Sequence, residues 1–337
     1  MRTPDAVRRK PPSRAALAAV LSGFGLSGCA GLPFSPIAPN ADSVAMAPES
    51  SAPAPPRPER PAVAPAVEDQ LARDIRAYYA RIEAERRSMG LLRTDDGSRD
   101  IPVSASRLAR IWTEVALRNE HEGPSLRPSN APAALRRWEI PVTYRLEFGA
   151  SVPPPTQSAD RAEVARLVRN LAEATGHPIR LAPQGSAGGN FHVLVLSEAE
   201  RRAIGPRLRQ LVPGMDERVV QLITDLPREI MCIAVAFARG GGSAYTDALA
   251  VIRAEHPDLT RIACYHEEMA QGLGVAADSP NARPSIFNDD MEFARLTAMD
   301  LLLLRLHYDR RLRPGMREAQ ARPIALTIAR ELAAGES

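Results

Sequence analysis

The chain has 337 residues, a formal net charge of +3 and one lysine, Lys10. Residues 1–28 contain five basic residues and one acidic residue, so the chain after residue 28 carries a net charge of about 3 − 4 = −1. This charge gives no support for a nucleic-acid partner. Because no lysine follows residue 10, the remaining chain cannot contain a Walker A phosphate loop, a Schiff-base lysine or a Ser–Lys dyad.

The N-terminus predicts a secretory signal. A basic segment is followed by an apolar run at residues 15–26, which is too short to be a stable membrane span. The sequence Leu26-Ser27-Gly28-Cys29 then resembles the bacterial lipobox, which implies a signal peptide over residues 1–28 and a lipid anchor on Cys29. Ala30 rather than an aspartate follows the cysteine, and this pattern implies the periplasmic face of the outer membrane. The alternative is an ordinary signal peptide in which the cysteine occurs by chance.

Residues 29–66 are rich in Pro and Ala and contain few large apolar side chains, which predicts a disordered tether. An amphipathic helix is predicted within residues 67–98. Gly90 is its expected stop, and its apolar side chains recur at helical spacing, at Leu71, Ile75, Tyr78 and Ile82. We favour docking of this stripe on the adjacent domain over a short dimeric coiled coil.

Residues 99–320 are long enough for one substantial core, and their apolar pattern predicts an α+β domain. The predicted helices are residues 104–119, 160–175, a short one after Glu198, 257–274 and 296–308. The predicted strands are residues 138–148, 178–181, 191–196, 231–237 and 248–253. Residues 321–337 are assigned to a C-terminal tail that is partly helical.

Two cysteines remain once Cys29 is assigned to lipid. Cys232 and Cys264 form an even pair, and in an oxidising compartment such a pair favours a disulfide. Two reduced, buried thiols are the alternative. The predicted disulfide joins the strand before the glycine run to the helix at residues 257–274.

The segment from Glu267 to Gly274 has the spacing of a zinc-peptidase helix. The metzincin signature H-E-x-x-H-x-x-G-x-x-H places two histidine ligands one helical turn apart, with a glutamate between them that activates water. In that register Glu267 replaces the first histidine and Glu268 matches the glutamate. Gln271 replaces the second histidine, and Gly274 matches the glycine.

The third ligand position is held by Ala277, with Asp278 beside it. The chain therefore resembles a metzincin whose zinc ligands are lost, which implies a zincin-like domain with a mixed twisted sheet and two long helices. Downstream, residues 284–289 and 296–308 resemble the Met-turn and the last helix of matrixin-like metzincins. Phe287 stands where the methionine would be.

A second resemblance covers roughly residues 100–316. It is carried by the Glu-Glu-x-x-Gln-x-x-Gly helix, by Ser-Ile-Phe-Asn-Asp at residues 285–289 and by Tyr-Asp-Arg-Arg-Leu-Arg-Pro-Gly-Met at residues 308–316. These motifs are similar to those of an uncharacterised proteobacterial family of lipoproteins, a domain of unknown function.

No metal site and no cofactor are predicted, because glutamine is a poor zinc ligand and zinc prefers His and Cys. His266 is one residue out of register and is expected to be structural. The paired carboxylates could serve as general acid and base if one were desolvated, although a solvated or arginine-paired helix face is the favoured interpretation. The cleft candidates are Glu267, Glu268, Gln271, Asp278, Asn288 and Asp289.

Besides a purely architectural envelope protein in which the N-terminal helix at residues 67–90 docks a partner, two functions remain open at this point. The first is a non-catalytic, degenerate zincin-like module that binds or scaffolds an envelope protein or peptide, with a groove beside an edge strand that takes an extended peptide. The second is an atypical metal-dependent or carboxylate-based hydrolase of envelope peptides or peptidoglycan, with Glu268 as general base. The missing ligands favour the first. The lipid on Cys29 is the expected membrane contact in both.

Overall fold

The computed structural model describes residues 70–100, 102–122, 127–288 and 290–335. The predicted signal peptide, the tether, Cys29 and Asp289 lie outside the described residues. Within the described residues, no helix combines the length and the apolar character that crossing a bilayer requires.

The described residues form nine α-helices and a six-stranded mixed sheet, which confirms the predicted α+β class. The helices are α1 (Gln70–Ser88), α2 (Ala105–Ala116), α3 (Pro154–Thr175), α4 (Glu198–Ala203), α5 (Gly205–Leu211), α6 (Glu217–Thr224), α7 (Asp258–Gln271), α8 (Ala298–His307) and α9 (Glu318–Gly335). A short 3₁₀ turn, Arg239–Gly241, joins the last two strands of the sheet.

The strands are β1 (His121–Glu122), β2 (Arg127–Pro128), β3 (Arg137–Trp138), β4 (Val142–Phe148), β5 (Ile179–Leu181), β6 (Phe191–Leu196), β7 (Cys232–Ala238) and β8 (Ala244–Arg253). β1 and β2 form a small antiparallel ladder of their own. In the main sheet the order is β3-β8-β6-β4-β5, with parallel neighbours throughout. β7 pairs with β8 alone and is antiparallel, so it forms an edge of the sheet.

Helices cover both faces of the sheet, because its central strands are apolar on both sides. All six residues of β6 are buried, and successive side chains point to opposite faces. Val193 and Val195 belong to the main core with α2, α3, α7, α8 and α9. Leu194 and Leu196 pack in a second cluster with α5 and α6.

Helix α7 is fixed at both ends by groups from other elements. Its N-terminal residues lack a side-chain cap of their own, and Glu83 of α1 accepts hydrogen bonds there from the backbone and hydroxyl of Thr260. At the other end the carbonyls that a helix leaves unpaired accept hydrogen bonds from aromatic side chains. These bonds are Tyr144 Oη to Met269 O at 2.8 Å, Trp138 Nε1 to Gly272 O at 2.9 Å and Tyr308 Oη to Leu273 O at 2.9 Å.

The glycine at position 274 is required by a close backbone approach. Its φ is +122°, and a Cβ there would lie 2.1 Å from the carbonyl oxygen of Arg136. The helix itself ends at Gln271, three residues before the predicted stop. The signature glycine therefore lets the chain leave α7 tightly against the segment that precedes β3.

Helix α1 packs on the domain through a face that differs from the predicted stripe. Ile75, Tyr79 and Glu83 are buried, whereas Leu71 is 51% exposed. The Tyr79 hydroxyl donates to the carbonyl of Arg228 at 2.7 Å. The buried face includes a glutamate, which apolar periodicity does not detect.

Several element boundaries differ from the sequence-based expectation, and proline explains two of them. The strand expected at residues 138–148 is split into β3 and β4, because Pro141 has no N–H for a continuous ladder. Helix α3 begins at Pro154 rather than at residue 160, because a proline is compatible with the first helical turn. β8 starts at Ala244, four residues earlier than predicted.

Two regions of the chain contain more helix than the sequence pattern predicts. α5 and α6 were not predicted, although Asp216 caps α6 through a hydrogen bond from the Arg218 N–H. α9 buries residues that the sequence assigned to a tail, and its inner face packs beside α2 in the main core through Ala321, Ala325, Ile328 and Ala329. The core therefore continues beyond residue 320.

Candidate functional site

A groove of about 630 Å³ lies between the edge strand β7 and the last turns of α7. Residues 232–236 of β7 line one side, and Glu267, Glu268 and Gln271 of α7 line the other. Apolar side chains, among them Leu222 and Met231, complete much of the wall. The structure thus brings three of the predicted cleft residues to one concave surface.

The edge strand turns one alternating set of its backbone groups away from β8 and toward the groove. β7 has the sequence Cys-Ile-Ala-Val-Ala-Phe-Ala, and all seven residues are half-buried. The backbone N–H of Ala234 faces the Glu268 carboxyl and opposes the rise of its pKa, so this residue points its polar backbone away from β8. Because backbone directions alternate along a strand, Cys232 and Ala236 point the same way.

The two adjacent carboxylates of α7 carry the electrostatic character of the groove. Glu268 is 5% exposed, and neither Glu267 nor Glu268 forms an ion pair with another described residue. Burial raises the pKa of both carboxyls well above the usual range, and the charges of Asp278 and Glu120 raise each pKa further. Glu268 also raises the pKa of Glu267. The ionised form of both carboxyls is therefore less favourable in the groove than on an exposed helix face.

Cys232 and Cys264 form the predicted disulfide, which ties β7 to α7. The Cys232 sulfur and one oxygen each of Glu267 and Glu268 lie within 4.8 Å of one another. A disulfide sulfur is not a thiolate, so this group offers two carboxylates rather than three metal ligands. The bridge holds the two sides of the groove at a fixed separation.

Two other predicted cleft residues lie in different places: Asp278 is beside the groove, and Asn288 is in a turn. The Gln271 side-chain amide donates to Asp278 Oδ1 at 2.9 Å, so Asp278 lies next to the groove and orients Gln271. Asn288 is 2% exposed and lies in a turn, where it donates to the carbonyl of Ala282 and accepts from the N–H of Asp290. Asn288 does not line the groove.

The residues at the zinc-ligand positions do not fit zinc. Gln271 presents its amide nitrogen to Asp278, and Ala277 has no donor atom. Glu267 alone remains of the three positions, and one carboxylate does not make a zinc site. The chemistry that this arrangement can support is hydrogen bonding, charge pairing and proton transfer by the two carboxyls.

His266 has the structural role that its position in the sequence predicts. Its Nε2 lies 3.1 Å from Glu163 Oε1, and its Nδ1 accepts from the N–H of Leu296. The imidazole is buried, and burial lowers its pKa. The side chain joins α7 to α3 on the side away from the groove carboxylates.

Asp300 organises the turn at residues 285–287. Its carboxylate accepts from the Ser285 hydroxyl, from the Ile286 N–H at 3.0 Å and from the Thr297 N–H at 2.7 Å. The residue is fully buried, and burial raises its pKa to about 6. The Ser-Ile-Phe turn and the last helix are thereby joined by one buried carboxyl.

Sequence reasoning missed two arginines that line the groove. Arg86, at the end of α1, donates to the sulfurs of Met231 and Met291 and faces Glu267. Burial lowers the pKa of Arg86, and the Glu267 charge opposes that change. The Arg136 carbonyl lies 3.0 Å from His307 Nε2, but the Arg136 side chain has no ion pair with another described residue, and its Nε is buried without a hydrogen-bond partner. Both lie more than 120 positions before α7, so only the tertiary fold brings them there.

Glu120 and His121 add a further charged pair to the rim of the groove. His121 Nδ1 lies 3.6 Å from Glu120 Oε2, and the interaction with this carboxylate raises the pKa of His121. No sequence pattern singled out this pair, because its relevance comes from its position opposite α7.

Comparison with known proteins assigns this domain to a family. Residues 105–327 match the family described as "Protein of unknown function (DUF2927)". The chain belongs to that family, which confirms the second resemblance at the level of a domain of unknown function. Searches of curated proteins and of solved structures gave no match.

Proposed function

We propose that this protein is an outer-membrane-anchored periplasmic lipoprotein whose globular domain is a non-catalytic, degenerate zincin-like binding module. Its ligand is an extended peptide that adds as a strand to β7 and occupies the groove over α7. The observation that carries the proposal is an apolar, unprotected edge strand that lies along a concave, partly charged groove.

Edge strands normally carry features that prevent pairing with another chain, such as lysine, proline or a bulge. The seven residues of β7 include no charge and no proline. The ladder to β8 is irregular only between Phe237 and Ala238, at the end of the strand. An accessible edge of this kind favours recognition by strand addition, in which backbone hydrogen bonds supply affinity and the groove supplies selectivity.

The zincin-like assignment is supported by order and spacing. β7 is antiparallel to its neighbour and flanks the signature helix, the glycine at 274 follows that helix, and the Ser-Ile-Phe turn and α8 come next. The ligand positions carry groups unsuited to zinc, which favours binding over metal-dependent hydrolysis.

The proposed location rests on the lipobox-like sequence that ends at Cys29 and on the disulfide. A disulfide between Cys232 and Cys264 suits an oxidising compartment such as the periplasm. Labelling of the full chain with a radioactive fatty acid tests the anchor, and Cys29→Ala should abolish the label. Label that persists in this variant would contradict the assignment.

Strand addition can be tested with ligands, so that the protein need not be altered. The probe is acetyl-Thr-Val-Thr-Xaa-Thr-Val-Thr-amide, with Xaa as arginine, norleucine or glutamate, titrated into the full chain by calorimetry. N-methylation of the amides in one alternating set should abolish binding, whereas N-methylation of the other set should leave it nearly unchanged. Equal effects of the two sets would contradict pairing with β7.

The raised pKa values of Glu267 and Glu268 favour a second candidate function. Two adjacent carboxyls that share protons can provide a general acid and a general base, as an atypical carboxylate-based or metal-dependent hydrolase would require. Glu268, which matches the signature glutamate, would be the base. Cleavage of the probe peptides or of peptidoglycan fragments, lost in Glu268→Gln, would establish this function in place of binding alone.

A further inference from the structure

We infer that the groove selects extended peptides that carry an arginine or lysine side chain, placed over Glu267 and Glu268. This inference deepens the proposed strand addition and rests on it. It concerns which strand is accepted, and its test can fail while strand addition itself stands.

In the free protein, Glu268 has a neighbour that an incoming strand would replace. Its carboxyl group faces the backbone N–H of Ala234, which is an outward-facing position of the edge strand. A peptide strand that pairs with β7 would place its own carbonyl at this position and displace the carboxylate. Glu268 is 5% exposed, and a buried carboxylate without a partner is costly. A cationic side chain on the incoming strand supplies the missing partner.

Acidic side chains outnumber basic ones around Glu267 and Glu268. Glu120 and Asp278 repel both of them, and His121 forms a pair with Glu120. On the opposite side Arg86 attracts Glu267, but its guanidinium donates to two methionine sulfurs and forms no ion pair with another described residue.

Two further charged residues, Arg136 and Glu229, line the groove elsewhere, and Arg136 also has no ion pair among the described residues. Four glutamates therefore line the groove against two arginines, with Asp278 adjacent to them. Glu120 is paired with His121 and Glu229 with Arg228, so Glu267 and Glu268 are the two acidic groups of the lining that remain for a basic side chain.

Much of the remaining wall of the groove is apolar. Leu222, Met231, Ile233 and Met291 line the groove beside the carboxylates. Arginine and lysine have long aliphatic stems that pack on such surfaces while the charged end reaches a carboxylate. A small ammonium or a metal ion would leave these apolar side chains uncovered.

Proton release provides a signature of this mode of binding. Burial and the charges of Asp278 and Glu120 raise the pKa of both carboxyls in the free groove, and a bound cation favours their ionised form. The carboxyl pKa values are thus lower in the complex than in the free protein. Binding then releases protons, and affinity rises with pH until the free carboxyls are themselves ionised.

The test uses the three probe peptides and the full chain. The arginine peptide should bind at least about tenfold more tightly than the norleucine peptide, and the glutamate peptide should bind more weakly than either. Calorimetry in two buffers of different ionisation enthalpy should give release of up to about one proton for the arginine peptide and close to none for norleucine.

Two variants and one matched control locate the effect. Glu267→Gln and Glu268→Gln should remove most of the preference for arginine and the proton release. Glu173→Gln, an exposed acid on α3, should leave both unchanged. Circular dichroism on each variant checks that the fold is retained.

The outcomes separate the two proposals. Equal affinity for arginine and norleucine would overturn the inference, while sensitivity to the alternating N-methyl sets would still support strand addition. A preference for arginine without that sensitivity would overturn strand addition, and with it the inference. Release of the bound arginine peptide by micromolar Zn²⁺ or Ca²⁺ would show that the carboxylates are a cation site and would also overturn the inference.

Discussion

Glu83 and Thr260, which are separated by 177 residues in the chain, are joined by two hydrogen bonds to one carboxylate oxygen. Glu83 Oε2 lies 2.9 Å from the Thr260 nitrogen and 2.8 Å from its hydroxyl oxygen. A carboxylate at a helix N-terminus is also stabilised by the helix dipole. Helix α1 thereby supplies the cap that α7 lacks, and the same helix carries Arg86 into the groove.

Substitution of Glu83 by alanine should therefore destabilise the domain. Loss of a cap and of two hydrogen bonds to a buried carboxylate is expected to lower the free energy of unfolding by about 2 kcal/mol. Urea denaturation of Glu83→Ala against wild type measures this change. Glu85→Ala, at an exposed position of the same helix, should have little effect. Similar losses in both variants would contradict the capping role.

Replacement of the groove carboxylates should have the opposite effect on stability. Their pKa values are raised in the folded state, so the folded protein binds protons more tightly than the unfolded chain and loses stability as pH rises above about 4.5. Glu267→Gln and Glu268→Gln should each stabilise the domain by about 1 kcal/mol at pH 7, with a smaller gain at pH 4. Thermal melts at the two pH values check this, and destabilisation at pH 7 would indicate that the carboxylates are structural.

Asp300 should contribute a defined part of the pH dependence of stability. Burial raises its pKa from 3.8 to about 6, so the folded state retains the proton between these two values and stability falls as pH rises through this window. The shift corresponds to about 3 kcal/mol. Asp300→Asn preserves the shape and removes the charge. The stability difference between the variant and wild type should grow from pH 4 to pH 6 and then level off. A difference independent of pH would contradict ionisation of a buried carboxyl.

The disulfide should stabilise the fold and hold the groove together. Cys232 and Cys264 are 32 residues apart in the chain, and closure of a loop of this size is worth about 3 kcal/mol. The double variant Cys232→Ala, Cys264→Ala should show this loss in guanidinium denaturation. Reductant should destabilise wild type by a similar amount and leave the double variant unaffected. A reductant effect on the double variant would point to another cause.

The signature helix could be predicted because its information is local. Spacing and a following glycine indicated α7, and the close approach of Gly274 to Arg136 explains why that glycine is needed. The disulfide followed from the number of cysteines and the predicted compartment. The central strands were also accessible to prediction, because β6 is a short, continuous apolar run.

Other features of the fold and of the groove depend on tertiary contacts that no local sequence pattern encodes. The buried face of α1 includes Glu83, whose partner is Thr260, so apolar periodicity alone misplaced that face. The sequence favoured a solvated or arginine-paired face for the glutamate pair, whereas Glu268 is buried, Glu267 is half-buried and neither has an ion pair with a described arginine. Asn288 was placed in the cleft by its position in a motif, whereas its hydrogen bonds hold a turn.

Strand addition requires an accessible backbone edge along β7, and amide hydrogen exchange measures that edge directly. At saturating concentrations of the arginine peptide, NMR-detected exchange of the outward-facing amides of Ala234 and Ala236 should slow at least about tenfold. The amides of Ile233 and Val235, which face β8, should change little. Unchanged exchange at Ala234 and Ala236 in a saturated complex would show that the peptide binds elsewhere and would contradict the account.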